Sequence, residues 1–156
     1  MTLPIASVPN GTVTSAKGFS AGGVFAGIKT PGPGKLDLGI IYSEQPCAVA
    51  GTFSQNTIIS STVVLDKERV GTDKSIHAVV VNSGCANTAV GDQGMTDAKE
   101  MTKLAAEHLG VSEEQTLVSS TGVIGVEIPM ALMREFIPQI KLTADGGGDF
   151  ANAILT

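Results

Sequence analysis

A chain of 156 residues can bury the core of one ordinary domain, and two domains of typical size do not fit in it. Apolar residues make up 42% of it and charged residues 16%, too apolar for a disordered segment, while no apolar run approaches the roughly 18 residues that cross a bilayer. A net charge of -5 with no Lys/Arg cluster argues against nucleic acid and anionic lipid as partners and leaves small molecules and other protein chains.

Residues 1–15 show neither the basic start and apolar stretch of a secretory signal nor the arginines of a mitochondrial presequence. A cytosolic chain with reduced thiols is therefore expected. Glycine is over-represented, with 19 residues where about 7% is usual. The glycines fall in separate places, "GFSAGGVFAGIK", "TPGPGK", "NSGCAN", "STGVIG" and "DGGG", which predicts tight turns or close backbone approaches and not a linker.

Three short β-branched segments, 35–43, 47–54 and 57–65, are separated by Pro46 or Gln55-Asn56 and read as strands. The nearly continuous apolar run over 76–82 predicts a buried central strand. Next, Met95, Ala98, Met101, Leu104, Ala105, His108 and Leu109 recur at helical spacing, with Asp92 placed to cap and Gly110 to end the helix. The chain returns as a strand over 116–119. Pro129 then opens a second helix, carrying Met130, Met133, Phe136, Ile137 and Ile140, that Pro138 shortens or kinks. A third helix is expected from Asp149, capped by that residue after three glycines; at six or seven residues it needs tertiary contacts to hold it. Strands followed by helices predict an α+β or layered α/β protein.

Few groups offer chemistry of their own. Cys47 and Cys85 form no CxxC pair and the two histidines, His77 and His108, stand at unrelated spacings, so no metal is assigned. No base is evident for Cys85, which reads as a buried structural thiol, and His108 lies on the apolar stripe of its helix as a partly buried core residue. "GPGK", ending at Lys35, lacks the spacing and hydroxyl of a phosphate-binding loop. Asn82, Ser83 and Asn87 sit at a central strand's end, where ligands bind in α/β proteins, yet Asn and Ser there also make turns by bonding their own backbone. The stretch "VSSTGVIGVEIP" from Val118 sets hydroxyls and a glycine at a strand end, which can make a turn or present N–H groups and a hydroxyl to negative charge.

Four stretches taken in order, "AKGFSAGGVFAGIK", "VVVNSGCANTAVGDQG", "SSTGVIG" with "IPM" after it, and "ANAILT", resemble the glutamate N-acetyltransferase, or ornithine acetyltransferase, family of arginine biosynthesis. The resemblance runs along nearly the whole chain. It implies a layered αββα fold of which 1–156 is a single domain, the α-chain portion of a self-processed precursor. A partner β chain is implied, in an α2β2 assembly, whose N-terminal threonine is the nucleophile and whose own α-amine serves as base. The implied reaction moves acetyl from N2-acetyl-L-ornithine to L-glutamate without a cofactor; in some members acetyl-CoA is also a donor substrate, which no residue here decides.

The family's oxyanion hole is a Thr-Gly pair, matched by Thr121 and Gly122, and its substrate-binding "ILTTD" segment is matched at its first threonine by Thr156. Neither the nucleophilic threonine nor the Lys-Gly segment before it occurs within 1–156, so the resemblance implies half an active site. Two other readings stay open: a non-catalytic scaffold with the same fold, and a relative among N-terminal-nucleophile aminopeptidases.

Overall fold

A computed structural model describes residues 7–29, 34–71 and 75–156. The start of the N-terminal stretch and most of the "TPGPGK" turn lie outside these residues. Four strands form one mixed sheet in the order β1-β2-β3-β4. Strands β1 (Phe19–Val24), β2 (Leu38–Cys47) and β3 (Ile76–Cys85) pair antiparallel in succession, and β3 pairs parallel with β4 (Thr116–Val123). Helix α1 (Ser61–Val70) lies between β2 and β3 in the chain, and α2 (Gln93–Leu109) makes the crossover from β3 to β4. After β4 come α3 (Met130–Phe136), a 3-10 turn (Ile137–Gln139) and α4 (Gly147–Ala153).

Strand alternation divides the core in two. Leu38, Ile40, Val80 and Val118 face Leu65 of α1, Ala98, Met101 and Ala105 of α2 and Met133 of α3, all buried. The opposite face carries Ala21 and Val81, with Ile41 and Val79 beside them, and packs on Phe150 of α4. The α/β expectation therefore stands, with α1–α3 on one face of the sheet and α4 on the other. The aliphatic and Met-filled main core matches a composition with 4% aromatics and no Trp.

Several expectations need correction. The segment 57–65 is not a strand: from Ser61 it is α1, because Ser60 accepts the Val63 N–H at 3.3 Å and Thr62, Leu65 and Arg69 bury one helical face. Burial and capping here override the β preference of Thr and Val. The segment 47–54 is irregular past Cys47; the strand before it runs on through Pro46, and its pairing with β3 breaks between Tyr42 and Cys47, which accommodates a residue without an N–H. Asp92 precedes α2 but its side chain makes no capping bond, and α4 starts at Gly147 after Gly146, two residues before Asp149. With α1 interposed, the order is also not strands then helices.

Strand β1 was hidden by its glycines. A Cβ at Gly22 would sit 2.2 Å from the Lys141 carbonyl oxygen, and one at Gly23 would sit 2.7 Å from that of Asp149, so the glycines serve close approach within a strand. His108 is exposed, and its Nε2 lies 2.9 Å from the Ile140 carbonyl, which makes Nε2 the donor. The helix does end at Gly110, in a left-handed conformation with φ 71°, as expected.

Two polar ties lock β4 to the helices. The buried Arg69 guanidinium donates to the Thr116 carbonyl, to Glu113 at 2.9 Å and to Thr102 at 3.2 Å. Asp66 accepts the Val118 N–H at 3.0 Å on the side of β4 away from β3. Burial pushes the Asp66 carboxyl up to about 6, against the opposing effects of that N–H and of Arg69. Because the folded protein then holds this proton more tightly than the unfolded chain, stability falls as pH rises from about 4 to about 6 and is level above that, by on the order of 2 kcal/mol. Asp66→Asn keeps the acceptor and removes the titration. In the full-length protein it should match wild type in thermal unfolding at pH 4 and exceed it above pH 6.5; a pH-independent difference would refute this assignment.

Candidate functional site

The parallel pair β3 and β4 ends in register, with Ser83 opposite Thr121 and Gly84 opposite Gly122. Both glycines have strongly positive φ, 133° and 128°, in a region that side chains rarely enter. They also touch: a Cβ on Gly122 would lie 2.3 Å from the Gly84 carbonyl carbon and oxygen.

The direction of each group follows from alternation. The Val123 carbonyl accepts from Ala86, so residues 117, 119, 121 and 123 turn their N–H and C=O toward β3. Val118, whose N–H goes to Asp66, Ser120 and Gly122 turn theirs to the outer edge of β4. The Gly122 N–H thus points off an open strand edge, a donor available to a ligand. Thr121 is half-buried, with its side chain on the α4 face beside Ser83, and no described residue bonds its hydroxyl. Ser120 faces the other way, its buried hydroxyl without a partner among the described residues.

Ser83 then brings in the end of the chain. Its hydroxyl donates to the Ala153 carbonyl at 2.5 Å, anchoring the last turn of α4 at the end of β3. A cleft of about 800 Å³ opens there, and its lining includes Gly84, Gly122, Asn152, Thr156, Lys29 and Lys35. Among the described residues two lysines and no Asp or Glu line it, a setting suited to an anionic group. A separate cleft of about 780 Å³, where His108, Tyr42 and Lys141 meet, holds none of the strand-end residues.

Gly122 and Thr156, 34 positions apart in the chain, therefore line one cleft, with Thr121 next to it. Asn82, Ser83 and Asn87 spend their donors on backbone: Asn82 on the Cys85 carbonyl at 3.0 Å, Asn87 on that of Gly94 at 2.9 Å, and Ser83 on α4. Cys85 is buried, and desolvation pushes its thiol up, away from the thiolate a nucleophile needs. No three His, Cys, Asp or Glu residues among those described come together as metal ligands. No described helix is long and apolar enough to cross a membrane.

Sequence reading did not find Lys29, Lys35 and Asn152. Lys29 lies inside a motif read for its glycines, and nothing local says that its side chain reaches the far end of the chain. A buried aspartate fixes it from below. Asp37, fully buried, accepts the N–H groups of Ala26 at 2.7 Å, Ile28 at 2.6 Å and Lys29 at 3.3 Å. Burial lowers the Lys29 ammonium from its ordinary range, opposed by the Asp37 charge and aided by Lys35.

A mixed α/β protein with a cleft at the carboxyl ends of adjacent parallel strands, and in its wall an N–H donor with no partner among the described residues, is the class that the fold and site define. The chain belongs to the ArgJ family, whose model matches residues 20–156. It is 43% identical over 150 residues to the arginine biosynthesis bifunctional protein ArgJ of Dehalococcoides mccartyi, covering 96% of this chain and 36% of that protein. The ArgJ protein of Symbiobacterium thermophilum is 46% identical over 148 residues, 94% of this chain and 37% of the relative. The chain thus spans a little over a third of the length of these relatives. The fold is similar to the crystal structure of the Bacillus halodurans ArgJ protein, with a TM-score of 0.89 at 37% identity over 96% of this chain and 78% of that one. It is also similar to ornithine acetyltransferase of Mycobacterium tuberculosis, solved with ornithine, with a TM-score of 0.87 at 32% identity over 93% of this chain and 79% of that one.

Proposed function

We propose that this chain is the oxyanion-binding and part of the substrate-binding portion of an ornithine acetyltransferase, which moves acetyl from N2-acetyl-L-ornithine to L-glutamate. The observation that carries the reading is the Gly122 N–H on the open edge of β4, with the unengaged Thr121 hydroxyl at the same strand end, beside a cationic cleft that also holds Thr156. Family membership and the ornithine-bound relative support it.

The nucleophile is the N-terminal threonine of a β chain released from the same precursor by self-cleavage. Its hydroxyl attacks the acetyl carbonyl carbon while its own α-amine takes the hydroxyl proton. The carbonyl oxygen becomes an oxyanion, held by the Thr121 hydroxyl and the Gly122 N–H. Collapse of this intermediate breaks the C–N bond, the departing ornithine amine takes the proton, and acetyl remains on the threonine. Glutamate's amine then attacks the ester by the reverse route, giving N-acetylglutamate. Both donors gain strength as charge develops on oxygen, which lowers the barrier and not merely KM. Lys35 in the cleft lining suits a carboxylate of the amino-acid substrates. No cofactor enters the scheme; acetyl-CoA is proposed as a second donor, tested in the same assay.

The β chain also supplies the second sheet of a layered αββα arrangement, in an α2β2 assembly in the cytoplasm. An apolar cleft of about 170 Å³ between Phe19, Ile41, Val79 and Leu117 on the α4 face of the sheet supports this reading, as a surface suited to such a contact.

The test is transfer of radiolabelled acetyl from N-acetylornithine to glutamate by the full-length protein, beside its Thr156→Val variant. Wild type should transfer the label. Thr156→Val should lose one hydrogen bond to the substrate's polar part, about 1 to 2 kcal/mol, expressed in KM more than in kcat. A folded wild-type protein that moves no acetyl overturns the activity and leaves a scaffold; unchanged kinetics in the variant remove Thr156 from the substrate site.

A further inference from the structure

We propose that Lys29 is a positioning residue of the site, whose ammonium ties down the chain segment that carries Thr156. Its Nζ donates to the Leu155 carbonyl and, at 3.3 Å, to the Leu36 carbonyl. One side chain thereby joins the residues just before β2 to the segment after α4, where Leu155 lies 126 positions beyond Lys29 in the chain. The base of this tie is rigid. Asp37 holds the loop at Ala26, Ile28 and Lys29, and its own carbonyl accepts the Ser83 N–H at 2.8 Å, which pins the loop to the end of β3. Ile28 presses on Gly84, where a Cβ would come within 2.6 Å of its methyl group.

Without Lys29, the segment 154–156 has, among the described residues, only local bonds to α4, Ile154 N–H to Phe150 and Leu155 N–H to Asn152, the latter long at 3.4 Å. The Ser83 bond stops at Ala153, one turn short of Thr156. The tether therefore acts on substrate binding through Thr156 and not on the oxyanion donors, which the β3–β4 ladder holds independently. The kinetic half of this inference rests on the cleft being the amino-acid site; the tether itself does not.

The experiment uses full-length protein with Lys29→Met and Lys29→Arg. Hydrogen exchange at residues 154–156 reads the tether directly, and steady-state kinetics with N-acetylornithine read its consequence. Lys29→Met should speed exchange there about tenfold with the β3 and α2 amides unchanged, and raise KM about tenfold with kcat within about threefold. Lys29→Arg, which keeps a long cationic donor, should restore most of both. Unchanged exchange at 154–156 overturns the tether. Faster exchange with kcat, not KM, as the main loss overturns its role in binding. A wild-type protein with no acetyl transfer refutes the proposed activity, while the exchange result still decides the tether. If Lys29→Met loses protection throughout, Lys29→Gln, whose donor is too short to reach Leu155, is judged by the same readouts.

Discussion

Thr121→Ala in the full-length enzyme should lower kcat by about 10² to 10³, a loss of roughly 3 to 4 kcal/mol of transition-state stabilisation, with KM for N-acetylornithine little changed. The reason lies in where Thr121 sits. Its backbone N–H and C=O face β3 and are taken up by the sheet, whereas its hydroxyl has no partner among the described residues and stands at the strand end where the cleft opens. Such a donor costs no rearrangement when charge appears on the substrate oxygen, and it contributes little before that charge appears. The side chain is half-buried and lies outside both core clusters, so the melting temperature should move by no more than about 1 kcal/mol implies. Thr121→Ser keeps the donor and should recover most of the rate. Steady-state kinetics on the three proteins decide the matter: a main effect on KM, or an equal loss in Ser and Ala, would sink the assignment of the hydroxyl to the oxyanion.

How far these features could be seen in the sequence depended on whether their cause was local. Strand β3 was legible because its run of apolar residues has only one economical explanation, burial on both faces, and both faces are in fact covered. Helix α2 was legible from spacing and from Gly110, and α3 from Pro129 and from Pro138, where a 3-10 turn replaces the helix. Helix α1 was not, since "TIISSTVVL" has the composition of a strand, and the burial of Leu65 in the core and of Arg69 among Thr102, Glu113 and Thr116, which rewards the helical form, depends on distant partners. Strand β1 failed for the opposite reason: its glycines argue against a strand until Lys141 and Asp149 are seen against them.

The site divides in the same way. Thr121, Gly122 and Thr156 came from a family resemblance, because locally a Ser-Ser-Thr-Gly strand end is equally a turn. What sequence cannot hold is the pairing that gives the position its geometry, Gly84 against Gly122 and Ser83 against the end of α4. Lys29 depends on one such distant partner, Leu155, and so escaped notice inside a motif read for glycine.

Gly122→Ala should be the most damaging single substitution at the site, because it strikes fold and chemistry together. The added Cβ would meet the Gly84 backbone at 2.3 Å, and backbone in a paired strand cannot swing aside as the end of a flexible side chain can. The φ of 128° adds a conformational cost of about 1 to 3 kcal/mol, and forcing the strands apart adds about 1 to 3 more. For a domain of this size a loss of about 4 kcal/mol lowers the melting temperature by roughly 10 °C. Relief of the clash must part the ends of β3 and β4, which moves the Gly122 N–H, and a shift of about 1 Å in a positioned group is enough to cost on the order of 10² in rate. Gly125 is the internal control: it too has a positive φ, 77°, but nothing lies within 4 Å of a Cβ placed there, so Gly125→Ala should cost only about 1 to 2 kcal/mol and leave kcat nearly intact. Thermal unfolding and kcat measured on both full-length variants separate the two causes. Equal melting temperatures would mean that the strand ends yield freely, and the close approach of Gly84 and Gly122 would then not be what holds the donor in place.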